Sequence, residues 1–309
     1  MRVSVVVCTR NRSAMMARAV ESLVGQTAPA DEFEIVIVDN GSTDDTRERA
    51  QRLVGQHSSH TIRYVYEERP GIAFARNAGT AASTGEYVAS IDDDAAAEPD
   101  WIERISSLVT AREYVALGGR ILPLYEVPKP PWFQDAYEER TWGTERRFLG
   151  KDESFSASNM VVKRSALERV GGFPTDVGMS GDRLMVGEEP MLFKRLWESE
   201  DCAGKILYDP DLRVRHSVPA HKMRVFTGAA RNFVNGQYTA RVIKSTGKSR
   251  TVAALRSLAS VFIKFFVGIG LVFKAKSARQ WVYEAAEGVA QPLGRLLALI
   301  GIEPKVRRR

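Results

Sequence analysis

Three consecutive carboxylates, Asp92-Asp93-Asp94, follow directly on the apolar run Tyr87-Val88-Ala89-Ser90-Ile91. Like charges side by side repel, and solvation is a poor remedy at the end of a segment that reads as a buried strand. A hard divalent cation, which takes carboxylate oxygens, would supply the missing charge. Asp92 and Asp94 are one residue apart, so they can share an ion that bridges a pyrophosphate and stabilises a departing diphosphate. A calcium loop of EF-hand type is excluded. Counting from Asp92, Ala96 and Ala97 stand at loop positions five and six, where a ligand and the obligatory glycine belong.

The elements that must position this triplet follow from periodicity. Residues 3–8, Val-Ser-Val-Val-Val-Cys, form a short β-branched run, as expected of a strand buried on both faces. Thr9-Arg10-Asn11-Arg12 ends it, and Met15, Met16, Ala19, Val20, Leu23 and Val24 recur at helical spacing until Gly25. A second strand at 34–38 runs into Asp39-Asn40-Gly41-Ser42-Thr43-Asp44, turn chemistry followed by helix-capping residues. Residues 61–66 read as a third strand, 72–82 as a helix rich in small residues, and 87–91 as a fourth strand. Such alternation predicts an α/β fold: an open, mostly parallel sheet with right-handed crossovers. In the doubly wound order 3-2-1-4, strands one and four adjoin at the switch point, where ligands bind beyond the strand ends. Thr9 to Arg12 and Asp92 to Asp94 should then face one crevice, with Asp39 one strand over.

Beyond residue 98 the pattern changes. A helix is expected at 99–110, strands at 115–124, 158–163, 205–208 and 212–216, and a helix at 188–197. Residues 126–153 read as a long irregular loop carrying Trp132 and Trp142, a length that marks a functional or mobile segment.

Length and composition bound the rest. The 309 residues suit one large α/β domain with an appendage, and 44% hydrophobic with 27% charged residues excludes disorder. Cys8 and Cys202 are too few for a disulfide scaffold and form no Cys-x-x-Cys pair, so a reducing compartment is expected. The apolar run at 3–7 is too short for a signal peptide. A dinucleotide site would need Gly-x-Gly-x-x-Gly where the chain has Thr9-Arg10-Asn11-Arg12, and a Walker-type phosphate loop is lacking as well. Net charge is +6, and Lys305-Val306-Arg307-Arg308-Arg309 closes the chain with four cations, suited to anionic lipid or nucleic acid, or to plain solvation. Residues 257–273 are largely apolar but interrupted by Lys264, Gly268 and Gly270, with Arg256, Ser260 and Lys264 on one helical face. A span needs about 20 predominantly apolar residues, and a cation within it is costly. An interfacial helix therefore fits better than a crossing one, with an ordinary packed helix pair as the competing reading, since Trp281, Ala285, Val289, Leu293, Leu296, Leu297 and Ile300 make a second amphipathic stretch.

Several segments, kept in order over roughly residues 1–240, resemble the family 2 glycosyltransferases of the GT-A fold. They are 3–12, 34–44, Gly71-Ile72-Ala73-Phe74-Ala75-Arg76-Asn77-Ala78-Gly79, 85–94, Ser158-Asn159-Met160, Gly171-Gly172-Phe173, Gly187-Glu188-Glu189 and 210–216. The resemblance implies a GT-A, Rossmann-like sheet flanked by helices, with a helical C-terminal appendage. Residues 1–98 would form the nucleotide-sugar-binding half, 99–245 the acceptor-binding and catalytic half, and 246–309 a membrane-associating region. It implies an inverting, metal-dependent hexosyltransferase with Mn²⁺ or Mg²⁺ as cofactor, UDP as the expected donor nucleotide and a glycan or lipid-linked acceptor. Work in cell-surface polysaccharide or glycolipid synthesis at the inner face of the cytoplasmic membrane is the implied setting, with no nucleic-acid partner. By the same resemblance Thr9, Asn11 and Asp39 would hold base and ribose, and Arg76 would act there or on the phosphates. Asp94, with Asp92 and His216, would hold the metal, and Asp93 would lie nearer ribose or sugar. Asn159, Trp132 and Trp142 would stand on the acceptor side, and the 126–153 loop would close over the donor or frame the acceptor. The family's Glu-Asp pair supplies its general base from the second acid. Here that position is Glu189, a departure that leaves Glu188 or Glu189 as the base.

The residues also admit plainer roles. Thr9 and Asn11 can cap a helix, Asp39-Asn40-Gly41 can be a turn, and Arg76 can form a surface ion pair. Glu188 and Glu189 suit the first turn of any helix. His216 can be structural, and the tryptophans can be core. Two other function classes compete: a sugar nucleotidyltransferase, which should carry a Gly-rich, Arg-containing loop after strand one, and a non-catalytic sugar- or partner-binding relative.

Overall fold

Every residue of β1 (Val3–Thr9) is buried, as a β-branched run covered on both faces must be. Its side chains alternate between two cores. Val3, Val5 and Val7 pack with Met16, Val20 and Leu23 of α1 (Ser13–Val24) on one face, and Val6 and Cys8 point to the other. β2 (Phe33–Asp39) is likewise wholly buried, followed by α2 (Thr46–Gln56), β3 (Thr61–Tyr66), α3 (Ile72–Ala82) and β4 (Tyr87–Asp92). The small-residue composition of α3 has a steric cause. A Cβ on Gly79 would stand 2.3 Å from Val6 Cγ1, so the helix lies closer to β1 than any side chain there allows.

The computed structural model describes residues 3–175, 187–245 and 249–304, so the basic segment 305–309 lies outside the described residues. Further along come β5 (Ala95–Ala97), α4 (Trp101–Ala111), β6 (Ala116–Tyr125), β7 (Arg147–Phe148), β8 (Met160–Lys163), α5 (Arg164–Arg169), α6 (Glu188–Ser199) and β9 (Ile206–Val218). The nine strands join one sheet in the order β3-β2-β1-β4-β8-β6-β9-β5, with β7 paired to β9. β1 to β4 are mutually parallel in the expected 3-2-1-4 order, whereas β8 runs antiparallel to both β4 and β6. Trp101 and Ile105 of α4 join the first core, and Leu192, Phe193 and Leu196 of α6 join the second. The result is a mixed sheet between two helical layers.

Three local expectations are corrected. The segments at 205–208 and 212–216 are one strand, β9. The strand runs on through Asp209-Pro210-Asp211, where the buried Asp209 carboxylate accepts from Arg104 Nη2 at 2.8 Å and pairs with Arg146 at 2.9 Å. The triple alanine of β5 and the short α5 carried no periodic signal. Residues 126–153 are not a structureless loop, because they contain β7 and a short 3-10 turn at Asp135–Tyr137.

The described residues divide into two units. One holds residues 3–124, 139–175 and 187–217, so the expected boundary at 98 runs through a continuous sheet. The other holds 125–138, 218–245 and 249–304 and is built on α7 (Thr227–Ser245), α8 (Arg250–Gly270) and α9 (Ala278–Leu299). The helical appendage thus begins before residue 246. Its aromatic core contains Trp132, whose ring lies 5.5 Å from Phe133 and 5.6 Å from Tyr283. α8 rests on α9 along a narrow stripe. The remainder of α8 is exposed, including Phe262, Ile263, Phe265 and Phe266, with Phe273 91% exposed just beyond its end.

Candidate active site

Strand register delivers the first side chains. β1–β4 pairing sets Cys8 opposite Asp92, and β1–β2 pairing sets Thr9 opposite Asp39. The antiparallel β4–β8 ladder pairs Ser90 with Met160, so two residues further it brings Ser158 to Asp92, and Ser158 Oγ donates to Asp92 Oδ2. β5 then pairs Ala95 with His216, and Ser217 N donates to the Asp94 carbonyl at 2.8 Å. These pairings gather Asp92, Asp94 and His216, whose donor atoms all lie within 4.8 Å of one another.

His216 Nε2 is 3.1 Å from Asp94 Oδ1 and 3.9 Å from Asp92 Oδ2, while Nδ1 is 3.2 Å from the Ser217 carbonyl. An imidazole that donates from Nδ1 to that carbonyl presents a lone pair at Nε2, facing two carboxylates. Such an arrangement suits a bound cation. Two carboxylate oxygens and one imidazole nitrogen, oriented through a backbone carbonyl, are a donor set that fits Mn²⁺ or Mg²⁺. All three side chains keep partial exposure, so an ion can reach them.

Asp93 is held differently. Thr9 Oγ1 donates to its Oδ2 at 2.8 Å, and Arg12 Nη1 lies 2.9 Å from its Oδ1 and 3.4 Å from Asp94 Oδ2. Burial pushes the Asp93 carboxyl up to about 6 against the pull of Arg12, and the Asp94 charge adds to the rise. Arg12 therefore neutralises part of the triplet.

Arg76 reaches the cluster from α3, buried rather than at the surface. Its guanidinium lies 3.6 Å from Asp92 Oδ1, 3.2 Å from Glu188 Oε1 and 3.6 Å from Glu189 Oε1, so one cation ties the strand-end acid to both helix acids. It also sits 5.4 Å from the Phe173 ring centroid. Neighbouring Asn77 accepts from Phe173 N at 2.7 Å and donates to Phe173 O at 2.9 Å. Arg76-Asn77 and Gly171-Gly172-Phe173, far apart in sequence, are two sides of one contact.

Gly187, at φ 127°, takes a backbone conformation that side chains rarely adopt and turns the chain into α6. Glu188 and Glu189 follow in the first turn. Burial raises the Glu188 carboxyl to about 7, with the Glu189 charge adding and Arg76 opposing. Its Oε2 is buried without a hydrogen-bond partner. Glu189 is the more exposed of the pair, and its Oε1 accepts from Ala157 N at 3.3 Å.

The other expected residues are placed as follows. Asn11, with φ 53°, accepts from Thr43 N at 2.7 Å and donates its own N–H to Ser42 Oγ at 2.9 Å. Asp39 is buried, accepting from Ser42 N and from Tyr64 Oη, each at 2.8 Å. Both stitch the loops after β1 and β2 together. Asn159 is corrected. It is buried, its Oδ1 accepts from Trp101 Nε1 at 2.9 Å, and its Nδ2 donates to the Arg120 and Leu212 carbonyls. An amide spent on three internal bonds braces the sheet and has no proton left for an acceptor. Trp132 is corrected too, being a core ring of the helical unit. Trp142 is 38% exposed, donates to the Ser154 carbonyl and stacks near Arg147. Arg12 and Ser158 were not foreseen as site residues. Ser158 stood in a noted segment, and only the β4–β8 register singles it out. Arg12 has no local signal that separates it from Arg10.

The model of the family described as glycosyl transferase family 2 matches residues 4–171. A glucosyl-dolichyl phosphate glucuronosyltransferase from Haloferax volcanii is 32% identical over 252 residues, covering 79% of this chain and 77% of that protein. The succinoglycan biosynthesis protein ExoM of Rhizobium meliloti is 25% identical over 246 residues, covering 79% and 75%. Among solved structures, the mannosyltransferase PcManGT from Pyrobaculum calidifontis, in complex with GDP-Man and Mn²⁺, superposes with a TM-score of 0.64 at 20% identity. That match covers 96% of this chain and 87% of PcManGT, and it shows the shared GT-A fold. With the motifs in family order and the family model matched over more than half its length, the chain belongs to glycosyltransferase family 2.

Proposed function

We propose that this protein is a metal-dependent, inverting glycosyltransferase that moves a sugar from a nucleoside diphosphate, with UDP the expected nucleotide, to an acceptor hydroxyl. The observation that carries this is the convergence of Asp92, Asp94 and His216 at the strand ends, joined through Arg76 to the acids that open α6. Asp92, Asp94 and His216 would hold a divalent cation, which when bound would supply Lewis acidity toward the departing diphosphate. Asn11, Asp39 and the loops they order offer the walls for base and ribose. Thr9 and Arg12 hold Asp93 in place beside them. Glu189 takes the acceptor proton while the acceptor oxygen bonds to the anomeric carbon. The bond from that carbon to the diphosphate breaks on the opposite face, and its electron pair leaves with the nucleotide. Glu188, buried beneath, sets the local charge with Arg76. A thermal-shift panel of nucleotide sugars, with and without Mn²⁺, tests the reading. One donor at about 100 times its dissociation constant should stabilise the protein by about 2.7 kcal/mol, in a Mn²⁺-dependent manner. No shift with any nucleotide would favour a non-catalytic binding relative.

The acceptor we propose is a glycan or a lipid-linked sugar in polysaccharide or glycolipid synthesis, in keeping with the named relatives. The enzyme would work at the inner face of the cytoplasmic membrane. The stretch Arg250–Phe273 is long and apolar enough to cross a bilayer, and only 11% of its most apolar window is buried in the protein. Its stripe of small and polar residues is covered by α9, so the reading that fits is a helix lying in the interface with its aromatic face in lipid. Replacing Phe262 and Phe266 with Asp should weaken co-sedimentation with phosphatidylcholine vesicles by about tenfold each. Unchanged binding would remove α8 from the membrane.

A further inference from the structure

The helical unit contains a polar cavity of about 440 Å³ lined by residues of α7, α8 and α9. Its lining includes Ser260 and Lys264 of α8 and Glu287, Gly288, Gln291 and Arg295 of α9. The placement of Lys264 follows from the contacts that flank it. Seven residues earlier, Ser257 Oγ accepts from Arg295 Nε at 2.8 Å, and four residues later the Gly268 carbonyl accepts from Trp281 Nε1 at 2.7 Å. Ser257, Lys264 and Gly268 recur at helical spacing, so Lys264 is turned along the α9-facing stripe and away from the phenylalanines. A cation in the middle of an otherwise lipid-suited helix is costly unless it serves a site.

The lining sets two cations, Lys264 and Arg295, beside two carboxylates, Glu284 and Glu287. Lys264 forms no ion pair with a described residue, and among described residues the only bond of the Arg295 guanidinium is the one from Nε to Ser257. Glu284, also in the lining, is already engaged by Tyr137 Oη and by Gln280 Nε2. Pro292 within α9 has no N–H, so the Gly288 carbonyl beside the cavity lacks its helical donor and can accept from a ligand hydroxyl or amine. Two cations for a phosphate, carboxylate and carbonyl acceptors for hydroxyl or amine donors, and a lipid-suited face on the same helix fit one chemical class. That class is an amphiphile whose head carries a phosphate together with hydrogen-bond donors.

We infer that this cavity binds the phosphate head group of a membrane lipid, with Lys264 and Arg295 as its phosphate ligands. The inference rests on the membrane reading of α8. Lipid occupancy would seat α8 at a defined depth, adding a specific anchor to the non-specific burial of its aromatic face.

The test uses the full chain and phosphatidylcholine vesicles prepared with and without phosphatidylglycerol, whose head joins a phosphate to two hydroxyl donors. Phosphatidylglycerol should strengthen binding of the unaltered protein by about tenfold, the scale of one charge-assisted hydrogen bond. Lys264→Gln and Arg295→Lys should each reduce that increment and leave phosphatidylcholine binding unchanged, whereas the exposed Lys274→Gln should keep it. No increment, or an equal loss in Lys274→Gln, overturns the inference by reducing the effect to diffuse surface charge. The Phe262 and Phe266 variants separate the two readings, since they weaken phosphatidylcholine binding and change no residue of the cavity lining. A thermal shift with glycerol 3-phosphate in solution that is lost in Lys264→Gln, without a vesicle increment, would identify a soluble phosphate as the occupant and overturn the lipid assignment.

Discussion

Glu189→Gln is expected to lower kcat by about 10²- to 10⁴-fold while nucleotide binding persists. That range is the contribution of a positioned general base, and the glutamine keeps the shape of the side chain while losing its capacity to accept a proton. The prediction separates two adjacent acids with different surroundings. Glu188 is buried against Arg76 with one oxygen unpartnered, and burial holds its carboxyl up at about 7. Glu189 is the more exposed and is oriented by Ala157 N. Both share the Arg76 charge, so Glu188→Gln should disturb the neighbourhood with a smaller loss of kcat. The pH profile discriminates further. If Glu188 were the base, only its ionised form could accept the proton, and the rate would fall as pH drops through about 7. Full activity in Glu189→Gln, with that acid limb intact, would sink the Glu189 assignment and move the base to its neighbour.

For Asp94→Asn we expect a fall of about 10³-fold in kcat/KM and loss of the Mn²⁺-dependent thermal shift. Asp94 sits at the junction of two charge systems. Its Oδ1 faces His216 Nε2 at 3.1 Å, and its Oδ2 faces Arg12 at 3.4 Å. The amide preserves the volume but removes the charge that holds a cation. The main-chain bond from Ser217 N to the Asp94 carbonyl is untouched by the change, so the β5–β9 register should survive and stability without metal should stay close to that of the parent. Asp93→Asn should be milder, because Asp93 is tied to Thr9 and Arg12 rather than to His216, and burial already raises its own carboxyl to about 6. Retained metal response and turnover in Asp94→Asn would remove the triplet from the chemistry.

Much of this site was legible because the signals are local. Runs such as Val-Ser-Val-Val-Val-Cys and Glu-Ile-Val-Ile-Val read as buried strands by composition, and their alternation with helices makes the common doubly wound order 3-2-1-4 the one to expect. From that order the proximity of Thr9, Asp39 and Asp92 follows, because parallel strands in register end together. The amphipathic character of 257–273 was legible for the same reason. Its match to an exposed helix reflects a period of 3.6 residues rather than any distant contact.

Only the tertiary structure decided the rest, because those contacts join segments with no periodic relation. Three alanines carry no strand signal, yet β5 brings His216 to the carboxylates by pairing with β9. Arg76 and Glu188 are 112 residues apart, and nothing near either predicts that one buried guanidinium will hold three acids. Asn159 and Trp132 carry chemistry that suits a binding surface, but burial committed the amide to internal hydrogen bonds and the indole to an aromatic core. The sequence by itself determined which chemistry the strand ends could carry. The folded chain decided which side chains remain free to perform it, since a polar group is available to a ligand only where packing has left its hydrogen-bonding capacity unspent.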